Sequence, residues 1–260
     1  MDHSDLGHNA AAAGGDSRSN PSQHNGSLPD LGKVFDATIV AMASLAEPGE
    51  AGNHIVRIQH YMRALAQKLK ASPGYARPMS DRTISLLFRA APWHDIGNSG
   101  VPDRILLKPG PLTDEEMDIV KTHPVVGRNV IDQIKQAAGV STEFLDTAQE
   151  IAYSHQERWD GSGYPLGLVG EQIPVAARLM AIADAYDALT SHRVYREGVA
   201  HDKAVQQIFQ ERAADFDPDM VDAFIEIQDE FAQIARRYAD TDVDFQKRID
   251  YMAKAIAESP

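Results

Sequence analysis

The sequence predicts an all-α fold, a bundle of helices behind an unstructured N-terminal tail. Three observations predict it. Apolar residues recur three and four positions apart in one segment after another. No stretch of any length alternates apolar and polar residues as a half-buried strand would. Helix-start and helix-stop residues punctuate the ends of the periodic segments.

Residues 1–32 are rich in Gly, Ser, Asn, Asp and Ala without apolar periodicity, and read as a disordered tail. From Val34 onward, Phe35, Ile39, Met42 and Leu45 keep helical spacing up to Pro48-Gly49. A second helix runs from about Glu50 to Leu69 through Ile55, Ile58, Met62 and Leu65, and Pro73-Gly74 ends it. A third starts near Ser80, sets Ile84, Leu87, Phe88 and Ala91 on one face, and runs towards His94. Residues 102–111 form a turn-rich connection. Thr113 followed by Glu116 is a capping box and starts a helix. Pro124 is expected to push His123 out of the helical region, at a junction between helices. Helices are expected at about 124–136 and 142–155, then a Gly-rich turn, then a helix from near Pro174 to about Leu189. Asp217-Pro218 is an N-cap with proline in the first turn, and the last 45 residues read as one or two charged helices. The expected division is a tail at 1–32, a domain at 33–228 and a helical extension at 229–260.

The chain has 260 residues, 43% of them hydrophobic, enough for one domain with a real core. It contains no apolar run of membrane-spanning length and no secretory leader pattern, so a cytoplasmic home is expected. There is no cysteine, which excludes disulfides and thiolate metal sites. A formal net charge of −13 argues against DNA, RNA or an anionic membrane as partner. An anionic substrate would need bound cations or a local basic patch.

Candidate ligands fall on separate helices. Glu50 and His54 are four apart and share a face. His94 and Asp95 end one helix, His123 lies at a junction, and His155 ends another. Asp184 stands mid-helix in the apolar run Leu179 to Tyr186, where an isolated buried carboxylate would be costly. Asp187, one turn on, reads as a helix hydrogen-bonding group rather than a ligand. Helix bundles build metal sites by aiming such side chains inward. Imidazole and carboxylate without sulfur suit iron, manganese or other first-row ions. A carboxylate such as Asp95 can bridge two ions, and ions about 4 Å apart can activate a hydroxide and clamp a phosphate.

The chain resembles the HD-GYP domains, a branch of the HD-type metal-dependent phosphohydrolases. The resemblance runs from Val34 to Phe224. It rests on Glu50 to Ile55, His94-Asp95-Ile96-Gly97, Val101-Pro102-Asp103 with Leu107 to Gly110, and His123-Pro124. It continues through His155 with Glu157 to Pro165, Ala183-Asp184 to Thr190, Arg193 with Tyr195-Arg196, and Phe216-Asp217-Pro218. It implies an HD-type helical bundle that hydrolyses cyclic di-GMP to pGpG, GMP or both. It implies two or three divalent metal ions, iron or manganese, held by Glu50, His54, His94, Asp95, His123, His155 and Asp184. Gly163, Tyr164 and Pro165 would line the substrate pocket, with Arg193 and Arg196 on phosphate or guanine. Trp159 reads as a packing residue.

Two positions depart from the family pattern. Asn98 stands where most members carry lysine after His-Asp-Ile-Gly, and is expected at the catalytic position beside His94 and Asp95. Gln156 stands where most carry a second histidine, which is expected to leave one metal position weak. The departures leave two readings: a phosphodiesterase, and an impaired module that binds cyclic di-GMP or a protein and signals without turnover. A diguanylate cyclase or another signalling protein is the expected protein partner. The charged C-terminal helices are a candidate surface for a homodimer or for docking.

Overall fold

The structure, a computed structural model, describes residues 28–47, 52–192 and 197–257. Most of the expected N-terminal tail lies outside them, as do Glu50, Arg193 and Arg196. The helices are α1 (Leu28–Ala46), α2 (Gly52–Lys70), α3 (Asp81–Ala90), α4 (Asp103–Leu106), α5 (Asp114–Val120) and α6 (His123–Ala138). They continue as α7 (Glu143–Ser154), α8 (Val175–Thr190), α9 (His201–Gln210), α10 (Pro218–Glu226), α11 (Gln228–Arg237) and α12 (Asp242–Ala257). Among the described residues there is no strand, only an isolated bridge between Arg212 and Phe216. The fold is all-α.

α2 and α8 are the central rods. Ile55, Ile58, Tyr61, Met62, Leu65 and Leu69 of α2 are at most 1% exposed, which accounts for almost every turn of that helix. α3, α8, α10 and α11 pack around it. Leu179, Met180, Ile182, Ala183 and Tyr186 bury α8 in the same core. Tyr61, Tyr186, Phe224 and Phe231 form one aromatic cluster, with Tyr61 stacked on Phe231 at 4.6 Å between centroids. Phe231 of α11 is fully buried there, so the chain beyond residue 228 contributes to the common core.

Several local expectations change in the structure. α1 begins at Leu28, earlier than the apolar spacing suggests, because Pro29 is tolerated in a first turn. The third helix stops at Ala90 and tightens into a 3-10 turn over Ala91–Trp93. Pro92 cannot extend an α-helical ladder. His123 is helical rather than extended: it opens α6, with Pro124 in the first turn. There the missing proline N–H is harmless. The Thr113–Glu116 capping box forms with both reciprocal hydrogen bonds, at 3.2 and 2.8 Å. The Asp217 cap forms as expected, accepting from the Asp219 N–H at 2.8 Å. Three helices, not one or two, follow it. α9 was not anticipated.

Candidate metal centre

Four imidazoles meet where the ends of α3, α6 and α7 face the start of α2. Ring centroids are 5.6 Å apart for His54–His94, 5.7 Å for His94–His155 and 5.2 Å for His123–His155. All four side chains are buried. In each, Nδ1 faces an oxygen: Asp187 Oδ2 at 2.7 Å for His54, Ala91 O at 3.1 Å for His94, Val120 O at 2.8 Å for His123, and Ile151 O at 3.1 Å for His155. Those oxygens can accept an Nδ1 proton, the tautomer that frees each Nε2 lone pair for a cation.

The Nε2 atoms converge on carboxylates in two compact groups. Glu47, His54 and His94 make one, and Asp95, His123 and His155 the other, each with ligand atoms within 4.8 Å of one another. His54 Nε2 lies 3.3 Å from Glu47 Oε2. Asp95 Oδ1 lies 3.3 Å from His123 Nε2 and 3.2 Å from His155 Nε2, while Oδ2 lies 3.9 Å from His94 Nε2. One carboxylate therefore faces both groups. His94 Nε2 and Asp95 Oδ1 are buried with no hydrogen-bond partner among the described residues. His123 Nε2 and His155 Nε2 face each other at 3.2 Å, an arrangement two lone pairs resist. Buried orphans of this kind are expensive unless a cation meets them. The donors fit divalent metal ions.

The electrostatics agree. Burial lowers the pKa of His94 and of His123 and keeps them neutral. Burial also opposes charging of His155, but the neighbouring Asp95 outweighs it and raises its pKa. Burial alone would raise the Asp95 carboxyl, yet the surrounding imidazoles of His94, His155 and His123 hold it well below the usual carboxylate range.

Backbone details position these groups. A Cβ on Gly97 would sit 1.9 Å from the His123 carbonyl oxygen, so only glycine lets the His-Asp turn lie against α6. A Cβ on Gly163 would sit 2.2 Å from the Arg158 nitrogen, which makes close approach its reason for being glycine. At Gly161, φ is +85°, and there the freedom of conformation is the reason. The buried Glu157 carboxylate accepts the Leu166 and Leu168 N–H groups at 2.7 and 2.9 Å and pins the loop carrying Tyr164 and Pro165, joined by a cis peptide bond. Tyr164 meets His123 edge-on at 6.2 Å, and Lys121 Nζ lies 6.0 Å from its ring centre. Burial, then the charges of Asp95 and Asp184, push the Tyr164 phenol up to about 12, so it stays protonated. Trp159 packs beneath Arg178, whose guanidinium lies 5.7 Å from the ring centre.

The structure thus brings together His54, His94, Asp95, His123, His155 and Tyr164. Asp184 does not join either compact group. It is half-buried and lines a cavity of about 150 Å3 with His155 and Gln156. The buried acid of α8 is Asp187, 1% exposed. The apolar-run argument pointed one helical turn away from it. Asp187 is in neither compact group: it accepts from Ser191 Oγ at the end of α8 at 3.0 Å, from Arg57, and from His54 Nδ1. Glu47, Glu157, Asp187 and Lys121 carry the site's architecture without having been singled out for those roles. Asn98 donates from Nδ2 to Asp95 Oδ2 at 2.9 Å.

A family model described as an HD domain matches residues 45–220. The chain belongs to the HD domain family. A protein of Vibrio cholerae named "Probable cyclic di-GMP phosphodiesterase" is 46% identical over 81% of this HD chain and 48% of its own length. A second Vibrio cholerae protein, named "Cyclic di-GMP phosphodiesterase", is 46% identical over 79% of this chain and 42% of its own. The HD chain therefore spans about half the length of the curated relatives it matches. A crystal structure of a cyclic GMP-AMP specific phosphodiesterase from Vibrio cholerae covers 86% of this chain and 60% of that one, with a TM-score of 0.52. At 16% identity it speaks to the HD fold alone. No helix among the described residues is long and apolar enough to cross a membrane.

Proposed function

We propose that this chain is a metal-dependent phosphodiesterase of the HD-GYP type that hydrolyses cyclic di-GMP to pGpG, GMP or both. The observation that carries the reading is the pair of donor groups joined through Asp95. The names of the two relatives that are 46% identical supply the substrate class. Glu47, His54 and His94 would hold one ion, and Asp95, His123 and His155 a second. Asp184 and Gln156 line the cavity beside His155 and would be available to a further ion. The sulfur-free donor set suits iron or manganese. When bound, such ions polarise a phosphoryl oxygen and lower the pKa of a coordinated water towards neutrality.

The remaining work falls to the chain itself. Asp95 balances the charge of both groups at once. Asn98 fixes that carboxylate from its Oδ2 side. The protonated Tyr164 hydroxyl is a hydrogen-bond donor at the rim, suited to a phosphate oxygen or a guanine carbonyl. Lys121 beside it is exposed and adds local positive charge on a chain of net charge −13. Arg193 and Arg196, outside the described residues, are proposed as further substrate contacts.

The test is product chromatography. Purified protein is incubated with cyclic di-GMP and Mn(II), or anaerobically with Fe(II), beside a parallel arm with 3′3′-cyclic GMP-AMP. Turnover of cyclic di-GMP that Asp95→Ala abolishes is the expected result. Binding without turnover would overturn the enzyme reading in favour of a receptor. Preference for the mixed dinucleotide would reassign the substrate.

A further inference from the structure

The family match ends at residue 220, yet a chain of buried polar contacts runs from beyond it into the metal centre. It starts at Asp240, between α11 and α12. Asp240 Oδ1 accepts from Arg57 Nη1 at 3.1 Å, and Oδ2 accepts from Arg248 Nη2 of α12 at 3.1 Å. Arg57 passes the contact on: its Nε donates to Asp187 Oδ1 at 2.6 Å and its Nη2 to Asp187 Oδ2 at 3.0 Å. Asp187 Oδ2 then accepts from His54 Nδ1 at 2.7 Å. The Arg57 guanidinium is further tied to Tyr238 O and Ser191 Oγ, at 3.0 and 2.9 Å, so its five N–H donors meet five acceptors. Arg248 Nη1 also donates to the His192 carbonyl at 3.0 Å, at the edge of the segment carrying Arg193 and Arg196.

We infer that Asp240 is a positioning residue, by which the α11–α12 segment sets the orientation of His54 and hence the affinity of the ion held by Glu47, His54 and His94. The inference rests on the metal centre proposed above. Its physical basis is that an imidazole ligand holds its ion only when the partner of its other nitrogen fixes tautomer and ring angle. Here that partner, Asp187, is held bidentately by a guanidinium whose far edge is held by Asp240. α12 buries Met252 and the charged Arg248, and half-buries Phe245 and Ile249. A cavity of about 370 Å3 opens beside Arg57, Asp240 and Arg248. Polar contacts therefore help set where α12 stands, and a change there reaches His54 through charged, hydrogen-bonded groups.

Calorimetric titration of the metal-free full chain with Mn(II) tests this. The wild type should show two binding events. Asp240→Asn should weaken one of them about tenfold, the order seen when the partner of a metal ligand is lost, and leave the other unchanged. Asp240→Glu should restore most of the loss. In a His54→Ala background, Asp240→Asn should cause no further loss, because the path ends at His54. A simple loss of stability would instead affect both events and add in both backgrounds. Affinities within twofold of wild type for folded Asp240→Asn would overturn the relay while leaving the metal centre intact. A wild type that binds no Mn(II) or Fe(II) would overturn the metal centre itself.

Discussion

Asp95 is the residue on which the site turns, since its two oxygens face different sets of imidazoles. Its orientation is fixed by one neutral amide, Asn98, at 2.9 Å. Removing that donor should let the carboxylate rotate. Asn98→Ala is expected to loosen Mn(II) binding about tenfold by titration calorimetry, with an unchanged urea midpoint. Asn98→Lys keeps a donor at that position in the chain, on a longer side chain, and adds a full charge. It is expected to retain metal affinity and raise kcat on cyclic di-GMP; an unchanged kcat would dismiss the missing lysine as a limit on rate. At this scale the sequence was legible where candidate donors stand beside the ends of helices. His94, Asp95, His123 and His155 all stand there. Glu47 was not legible, because Pro48-Gly49 separates it from α2 and helical spacing cannot be counted across that break. Asp187, read as a helix hydrogen-bonding group, does accept from Ser191 Oγ at the end of α8, but a helix wheel does not say that it also faces Arg57 and His54.

At the scale of elements, the site depends on one close crossing. The turn after His94 lies against the start of α6, and Gly97 is the point of contact, where a methyl group would stand 1.9 Å from the His123 carbonyl oxygen. Neither backbone can yield without moving a ligand. Gly97→Ala is expected to cost about 3 kcal/mol or more in urea denaturation and to abolish the binding event assigned to Asp95, His123 and His155. A variant with wild-type stability and both binding events would show that the crossing tolerates a side chain. The spacing signals predicted α2, α3 and α6 to α8 within a few residues, because their apolar faces are continuous. They did not predict α9, whose buried residues are only Ala204, Val205 and Ile208. Such a short, sparse face has little periodicity to detect.

For the whole molecule, candidate ligands drawn from α2, α6, α7 and the turns beside α1 and α3 would make metal binding and folding one equilibrium. An ion that binds the folded chain alone adds about 2.7 kcal/mol of stability at a concentration one hundred times its dissociation constant. Saturating Mn(II) is therefore expected to raise the thermal midpoint by about 5 °C or more, at the usual few degrees per kcal/mol for a chain of this size. EDTA should reverse the rise, and Asp95→Ala should remove most of it. Equal midpoints with Mn(II) and with EDTA would count against a centre built from separate helices. The same logic brings the C-terminal residues into the site, since Phe231 shares the core with Tyr61 of α2 and Asp240 holds Arg57 of the same helix.

Local chemistry alone determined that the chain is helical, where most helices lie, that no thiolate is present to bind metal, and that histidines and carboxylates on separate helices are the candidate donors. Periodicity, capping and ligand type are properties of neighbours in sequence. Only the tertiary structure decided which carboxylate pairs with which imidazole, that Asp187 orients His54 rather than binding beside it, and that α12 reaches the centre through Asp240. Those contacts join residues as far as 183 positions apart, and no local pattern encodes which of several acids will be buried against which base.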